Sequence, residues 1–155
     1  MEKVYISVAE GLGYYWGIFA NEKAVTGIYP LTSHILTNDN PISTNAANQI
    51  CEYFINIRSE FDFPVEPCGT PFQKQVWDAL RAIPYGCVVS YSDIAAQIGR
   101  PKAVRAVGQA VGRNPCLIAI PCHRVLGKNG RLTGFSAGLD IKKQLLLLEG
   151  VSHYE

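Results

Sequence analysis

The sequence predicts an α+β chain: a small antiparallel β-sheet subdomain with one helix, followed by a mostly helical domain carrying a helix-turn-helix. Three observations predict it. Short β-branched and aromatic runs separated by turn residues fill the beginning of the chain. Helix caps and helical apolar spacing recur after Gly69. Charge also divides: residues 1–66 hold three Lys/Arg against eight Asp/Glu, and residues 67–155 hold eleven against five. The two parts are therefore bounded as 1–66 and 67–155. With 155 residues, 48% hydrophobic and 17% charged, the chain has the length of one domain or two small ones, and its composition excludes disorder.

In the first part, Val4–Val8, Tyr14–Phe19 and Ala24–Tyr29 read as strands. Glu10–Gly13 and Asn21–Lys23 read as the hairpin turns between them. Asn45 to Phe61 places Ile50, Tyr53, Phe54 and Ile57 at helical spacing. Phe63-Pro64-Val65-Glu66-Pro67-Cys68-Gly69 is a connector punctuated by proline and glycine. The second part opens with Thr70 as N-cap, Pro71 at the first helical position and Gln73 completing a capping box. That helix runs through Val76, Trp77, Leu80 and Ile83 and stops at Pro84-Tyr85-Gly86. Ser90 caps a short helix, Asp93–Ile98. Gly99-Arg100-Pro101 turns the chain, and Ala103–Val111 forms the next helix before Gly112 and Asn114-Pro115. Two short helices joined by a glycine-containing turn form a helix-turn-helix.

Charge and cysteine usage narrow the setting. No Asp or Glu occurs from Ile94 through Leu139, a stretch holding Arg100, Lys102, Arg105, Arg113, Arg124, Lys128 and Arg131. An acid-free basic segment suits a polyanion partner, although charge alone also fits a solvated basic face. Met1–Val8 has no apolar core of a signal peptide, and no run reaches the length of a membrane span. Five cysteines without a Cys-x-x-Cys pair read as reduced thiols in a cytoplasmic setting. Residues 1–50 contain no Cys and only His34, so no zinc or other metal site is expected.

The chemistry concentrates at Pro121-Cys122-His123-Arg124-Val125, which follows the apolar run Leu117–Ile120. Such a run buries its end and delivers a thiol to the floor of a pocket. Cys51, Cys68, Cys87 and Cys116 read as small core residues. Cys122 differs because a histidine and an arginine follow it, and nearby positive charge or a base favours the reactive thiolate. Adjacency alone is weak, since neighbours in an extended segment face opposite sides.

Ile120-Pro121-Cys122-His123-Arg124-Val125 resembles the active-site motif of the O6-alkylguanine-DNA alkyltransferases. The resemblance extends to Thr70–Trp77, Ile83-Pro84-Tyr85-Gly86, Ser90-Tyr91, Ala103–Gly108, Arg113-Asn114-Pro115, Gly134–Leu139 and Lys142–Gly150, in family order. Residues 1–66 are similar only in outline. The resemblance implies a ribonuclease H-like sheet subdomain and a winged-helix-like second domain. It implies direct reversal of DNA alkylation: one methyl or alkyl group moves from O6-alkylguanine, and from O4-alkylthymine, onto Cys122 and inactivates the protein. No cofactor is implied. The partner implied is double-stranded DNA bound through its minor groove, with the protein expected to act as a monomer.

By the same resemblance His123 takes the thiol proton through a water, and Glu149 orients the imidazole. An imidazolium beside the thiolate would offset the burial of Cys122. Tyr91 faces the base and supplies a proton to the leaving group, Lys142 supports Tyr91, and Asn114 links the DNA-binding helix to the active-site segment. Arg105 fills the gap left by the flipped guanine. Ala103, Gly108, Gln109, Ser90 and Arg124 join it in contacting DNA. Phe135, Ser136, Val125 and Pro121 line the base pocket, with Phe135 where several relatives have tyrosine. Judged alone, Glu149 is a helix-end charge, Tyr91 a loop tyrosine, Lys142 a surface lysine and Asn114 a turn residue. Three other readings compete. Alkyltransferase-like damage-binding proteins share the helix-turn-helix but lack the cysteine. A transcription factor would bind one sequence tightly. A Cys-His hydrolase would turn over many substrates.

Overall fold

The computed structural model describes residues 2–33 and 35–154. His34, weighed above for a metal site, lies outside the described residues. The chain divides into two compact units, Met1–Cys68 with Pro115–Ala119, and Gly69–Asn114 with Ile120–Glu155.

The first unit is built on three antiparallel strands in the order β1 (Tyr5–Gly11), β2 (Tyr14–Ala20) and β3 (Val25–Pro30). Leu12 and Gly13 join β1 to β2 with φ of 57° and 82°, the two left-handed residues of the tight turn that suits strand twist. Trp16, Ile18 and Ala20 alternate inward along β2, as a period of two requires. Helix α1 (Pro41–Phe54) starts earlier and ends earlier than the apolar spacing suggested. Asn40 caps it: its side chain accepts from the Ser43 amide at 2.8 Å, and Ser43 Oγ accepts from the Asn40 amide at 3.0 Å. Asn56, at φ 64°, breaks the helix, so Ile57 is exposed rather than on the apolar face. Phe54 packs over Gly11, where a Cβ would stand 2.2 Å from the ring.

Pro115–Ala119 packs with this first unit, although the sequence reading counted it in the second part. The Ile28 amide donates to Pro115 O at 2.9 Å and the Leu117 amide to Ile28 O at 3.0 Å. The run thus adds a parallel bridge beside β3. Ile118 adopts φ 74° there, a strained geometry for a β-branched residue.

The second unit holds α2 (Pro71–Arg81), β4 (Val89–Ser90), α3 (Tyr91–Gln97), α4 (Val104–Gly112), β5 (Val125–Leu126) and α5 (Leu139–Leu148). Thr70 and Gln73 form the expected capping box on α2, and Ser90 and Asp93 form another on α3. Trp77 is buried and donates through Nε1 to Ala110 O at 2.8 Å, which locks α2 to α4. The parallel pair β4–β5 aligns Val89 with Val125 and Ser90 with Leu126. Two-residue strands leave no periodicity to read, and this pair was not anticipated. No helix among the described residues is long and apolar enough to cross a membrane.

Candidate active site

Cys122 lies in a short 3-10 turn, Cys122–Arg124, directly before β5. The turn corrects the extended geometry assumed for the motif: consecutive residues now diverge around a tight helix. Cys122 is 2% exposed and His123 is fully buried. Burial pushes the Cys122 thiol up to about 11, because a thiolate loses its hydration there. A hydrogen bond from Asn114, the Lys142 charge and the amides of Cys122 and His123 act in the opposite direction without overcoming it. Asn114 is itself fixed, donating through Nδ2 to Ile120 O at 2.8 Å. It therefore ties the end of α4 to the cysteine.

His123 meets Glu149 as expected, Nε2 to Oε2 at 2.7 Å. An ionised carboxylate only accepts, so Nε2 carries the proton and Nδ1 keeps its lone pair. His123 Nδ1 is buried with no hydrogen-bond partner among the described residues. Burial is the main cause that lowers the His123 pKa; Glu149 pulls it upward, and Arg124 and Lys142 push it down. Burial thus favours a neutral thiol beside a neutral imidazole at rest, where the thiolate and imidazolium were the expectation.

Arg124 requires a second correction. It was expected against DNA, yet its side chain is buried and its donors are engaged. Nε and Nη2 reach Glu149 Oε1 and Oε2 at 2.8 and 3.0 Å, and Nη1 donates to Ile83 O at 2.7 Å. The Gly86 amide adds a further bond to Glu149 Oε1 at 3.0 Å, and the Tyr85 hydroxyl donates to Leu148 O at 3.1 Å. Ile83-Pro84-Tyr85-Gly86 thus wraps the C-terminal end of α5, where Glu149 sits. Sequence reading missed this cradle, because its members are far apart in the chain and a charged residue reads by default as exposed.

Lys142 projects from α5 and is 1% exposed. Its ammonium donates to Val125 O at 2.8 Å and Thr133 O at 3.3 Å. Burial lowers its pKa to about 8, with Cys122 acting the other way. Thr133 joins it to Tyr91: the Thr133 hydroxyl lies 2.9 Å from the Tyr91 hydroxyl. Lys142 Nζ also stands 5.9 Å from the centre of the Phe135 ring. Pro121 and Val125 are buried, Phe135 half-buried and Ser136 exposed. On α4, Arg105 and Gln109 are exposed and Gly108 is half-buried, as is Ala103 at the N-cap. Ser90 spends its hydroxyl oxygen on the α3 cap. Cys68 and Cys87 are exposed rather than core residues, Cys51 is half-buried and Cys116 is buried. Among the described residues no group of three His, Cys, Asp or Glu could hold a metal ion.

The model of the DNA-binding domain of 6-O-methylguanine DNA methyltransferase matches residues 71–151. A methylated-DNA–protein-cysteine methyltransferase of Methanosarcina acetivorans is 55% identical over 105 residues, 68% of this chain and 67% of that protein. The crystal structure of the Mycobacterium tuberculosis O6-methylguanine methyltransferase is 38% identical and superposes with a TM-score of 0.86, covering 95% of this chain and 93% of the other. A second structure, M. tuberculosis OGT in complex with DNA, is 40% identical at a TM-score of 0.82, covering 94% and 91%. With the family's domain matched over residues 71–151, more than half of the chain, and a relative 55% identical over 68% of the chain, the chain belongs to the methylated-DNA–protein-cysteine methyltransferase family.

Proposed function

We propose that this protein reverses alkylation damage in DNA by moving one methyl or alkyl group from O6-alkylguanine, or O4-alkylthymine, onto Cys122, and is spent by doing so. One observation carries the reading: Cys122 stands among Asn114, Lys142 and the His123–Glu149 pair, inside the segment that matches the family. The five free cysteines and a DNA substrate suit the reducing cytoplasm. The protein acts as a monomer on one lesion, its first subdomain (1–66) carrying the sheet and its second (67–155) the chemistry.

The reaction follows from the charges. A thiol held neutral by burial attacks only as its proton departs. His123 Nδ1 is the open base, and a water passes the proton to it. The imidazolium formed is held by Glu149, which Arg124 and Gly86 keep in place. Lys142 and Asn114 stabilise the sulfur as negative charge develops. The departing guanine takes a proton from Tyr91. The product is a thioether, which has no easy hydrolysis route, so the protein acts once.

DNA is gripped by α4 and its approach. The helix begins without a side-chain cap, which leaves first-turn amides for an anion. Exposed Arg100 and Lys102 precede it. Ala103, Gly108 and Gln109 give the face that enters the minor groove, Arg105 takes the place of the extruded base, and Phe135, Ser136, Val125 and Pro121 receive it.

Incubating the protein with duplex DNA containing O6-methylguanine and measuring its intact mass tests this directly. One methyl per chain is expected, on the peptide containing Cys122, while Cys122→Ala still binds the duplex. Turnover beyond one equivalent, or methyl on Cys116, would point to a different chemistry.

A further inference from the structure

Thr133 sits in the segment between β5 and α5, and its hydroxyl, carbonyl and methyl are all engaged. Its hydroxyl lies 2.9 Å from the Tyr91 hydroxyl. Its carbonyl accepts from Lys142 Nζ at 3.3 Å. Its methyl, Cγ2, stands 2.6 Å from where a Cβ on Gly127 would be, so the methyl occupies the space that glycine leaves open. The Gly127 amide closes the same turn by donating to Arg131 O at 2.7 Å. Lys142 meanwhile ties this turn to β5 through Val125 O at 2.8 Å. Valine at 133 would keep the shape and lose the hydroxyl, whereas serine would keep the hydroxyl and lose the methyl.

We propose that Thr133 is a positioning residue for alkyl transfer: its hydroxyl donates to the Tyr91 oxygen and so leaves the phenolic proton free for the departing base. The inference rests on the function proposed above and on Tyr91 facing the base. A phenol has one proton to give. If Tyr91 donates it to Thr133, none is aimed at guanine. A threonine hydroxyl rotates to suit its neighbour, and Thr133, anchored by its methyl and by its carbonyl bond to Lys142, presents it from a fixed place. In the transfer step the S–C bond forms as the C–O6 bond breaks, and the electron pair stays with guanine. The thiol loses one proton, Tyr91 gives one to guanine and is reprotonated from solvent, so the balance closes. While the phenol is giving up its proton, a hydrogen bond donated to its oxygen disperses the negative charge that develops there.

The experiment compares wild type, T133V, T133A, T133S, Y91F and the double variant Y91F/T133V. Three quantities are read for each: saturating methyl transfer from an O6-methylguanine duplex, binding of that duplex, and alkylation of Cys122 by iodoacetamide. Thermal midpoints identify variants that fold. T133V and T133A should transfer methyl about fivefold to tenfold more slowly, the rate equivalent of one hydrogen bond, with duplex binding intact. T133S should recover most of that loss. Iodoacetamide should react at the wild-type rate in T133V, T133A and T133S, because iodide leaves without a proton. Y91F/T133V should be no slower than Y91F. Transfer by T133V and T133A at the wild-type rate, an equal loss towards iodoacetamide, or losses that multiply with Y91F would overturn the role of Thr133. Wild-type protein that takes up no methyl would instead overturn the function itself, and the Thr133 proposal with it.

Discussion

Cys122 and His123 are adjacent, and burial moves both towards neutrality, one upward and one downward. The reactivity of Cys122 towards iodoacetamide should therefore climb with pH until about 11, the value to which burial pushes the thiol. Asn114→Ala should move that inflection higher still, since Asn114 is the largest of the groups favouring the thiolate. His123→Ala should slow methyl transfer without raising the inflection, because a neutral imidazole lends the thiolate no charge. A downward shift in Asn114→Ala would contradict this balance. Arg124 supports a second expectation. Removing one partner of a buried ion pair leaves the other stranded, at about 3–5 kcal/mol, so Arg124→Ala should unfold at much lower denaturant. With the guanidinium gone, one of the two charges that push the His123 pKa down is lost, and the His123 pKa followed by NMR should rise. Motif residues were legible where the chemistry is local, as at Cys122 and His123. Arg124 was not, because its burial depends on Glu149, 25 positions away.

At the scale of elements, helix starts with a side-chain cap were the most legible features. Thr70 and Ser90 each carry a hydrogen-bond pattern contained within four consecutive residues, from N-cap to N3. The start of α1 was missed although Asn40-Pro41-Ile42-Ser43 bears the same kind of signal, because the apolar spacing from Ile50 onward drew the boundary inward. Strands β4 and β5 and the 3-10 turn at Cys122 depend on tertiary pairing and leave no local trace. Helix α4 carries the test belonging to this scale. Arg105→Ala should slow repair of duplex DNA by orders of magnitude while scarcely changing reaction with free O6-benzylguanine. The free base needs no extrusion from the stack, a step costing on the order of a few kcal/mol. Equal losses on both substrates would mean that Arg105 serves the fold alone.

For the whole molecule, the buried titratable groups shape stability against pH. Cys122 is raised from 9.0 to about 11, so between those values the unfolded chain releases a proton the folded one keeps, and stability falls as pH rises. Lys142 is lowered from 10.5 to about 8, so across that window the unfolded chain holds the extra proton, and stability rises with pH. The two slopes oppose each other where the windows overlap, from 9.0 to 10.5. Cys122→Ala should expose the Lys142 rise, and Lys142→Met the Cys122 fall, in urea midpoints measured across alkaline pH. Parallel profiles in the two variants would rule out this opposition. At the acid end, the lowered His123 pKa means that stability drops as pH falls below 6.5, where only the unfolded chain readily takes the proton.

The 2% exposure of Cys122 bears on the fate of the spent protein. Methylation there is in effect an overpacking mutation of the interior, written by the substrate instead of the gene. Adding a methyl group to a filled interior costs about 1–3 kcal/mol, and the thioether no longer titrates. Alkylated protein should therefore melt several degrees below the fresh form. It should also lack the decline between pH 9.0 and about 11 that the free thiol imposes. Calorimetry of the two forms side by side would show both effects. Used and unused copies would then differ in foldedness by a margin that a quality-control protease can sense, and the repair event would carry its own expiry date.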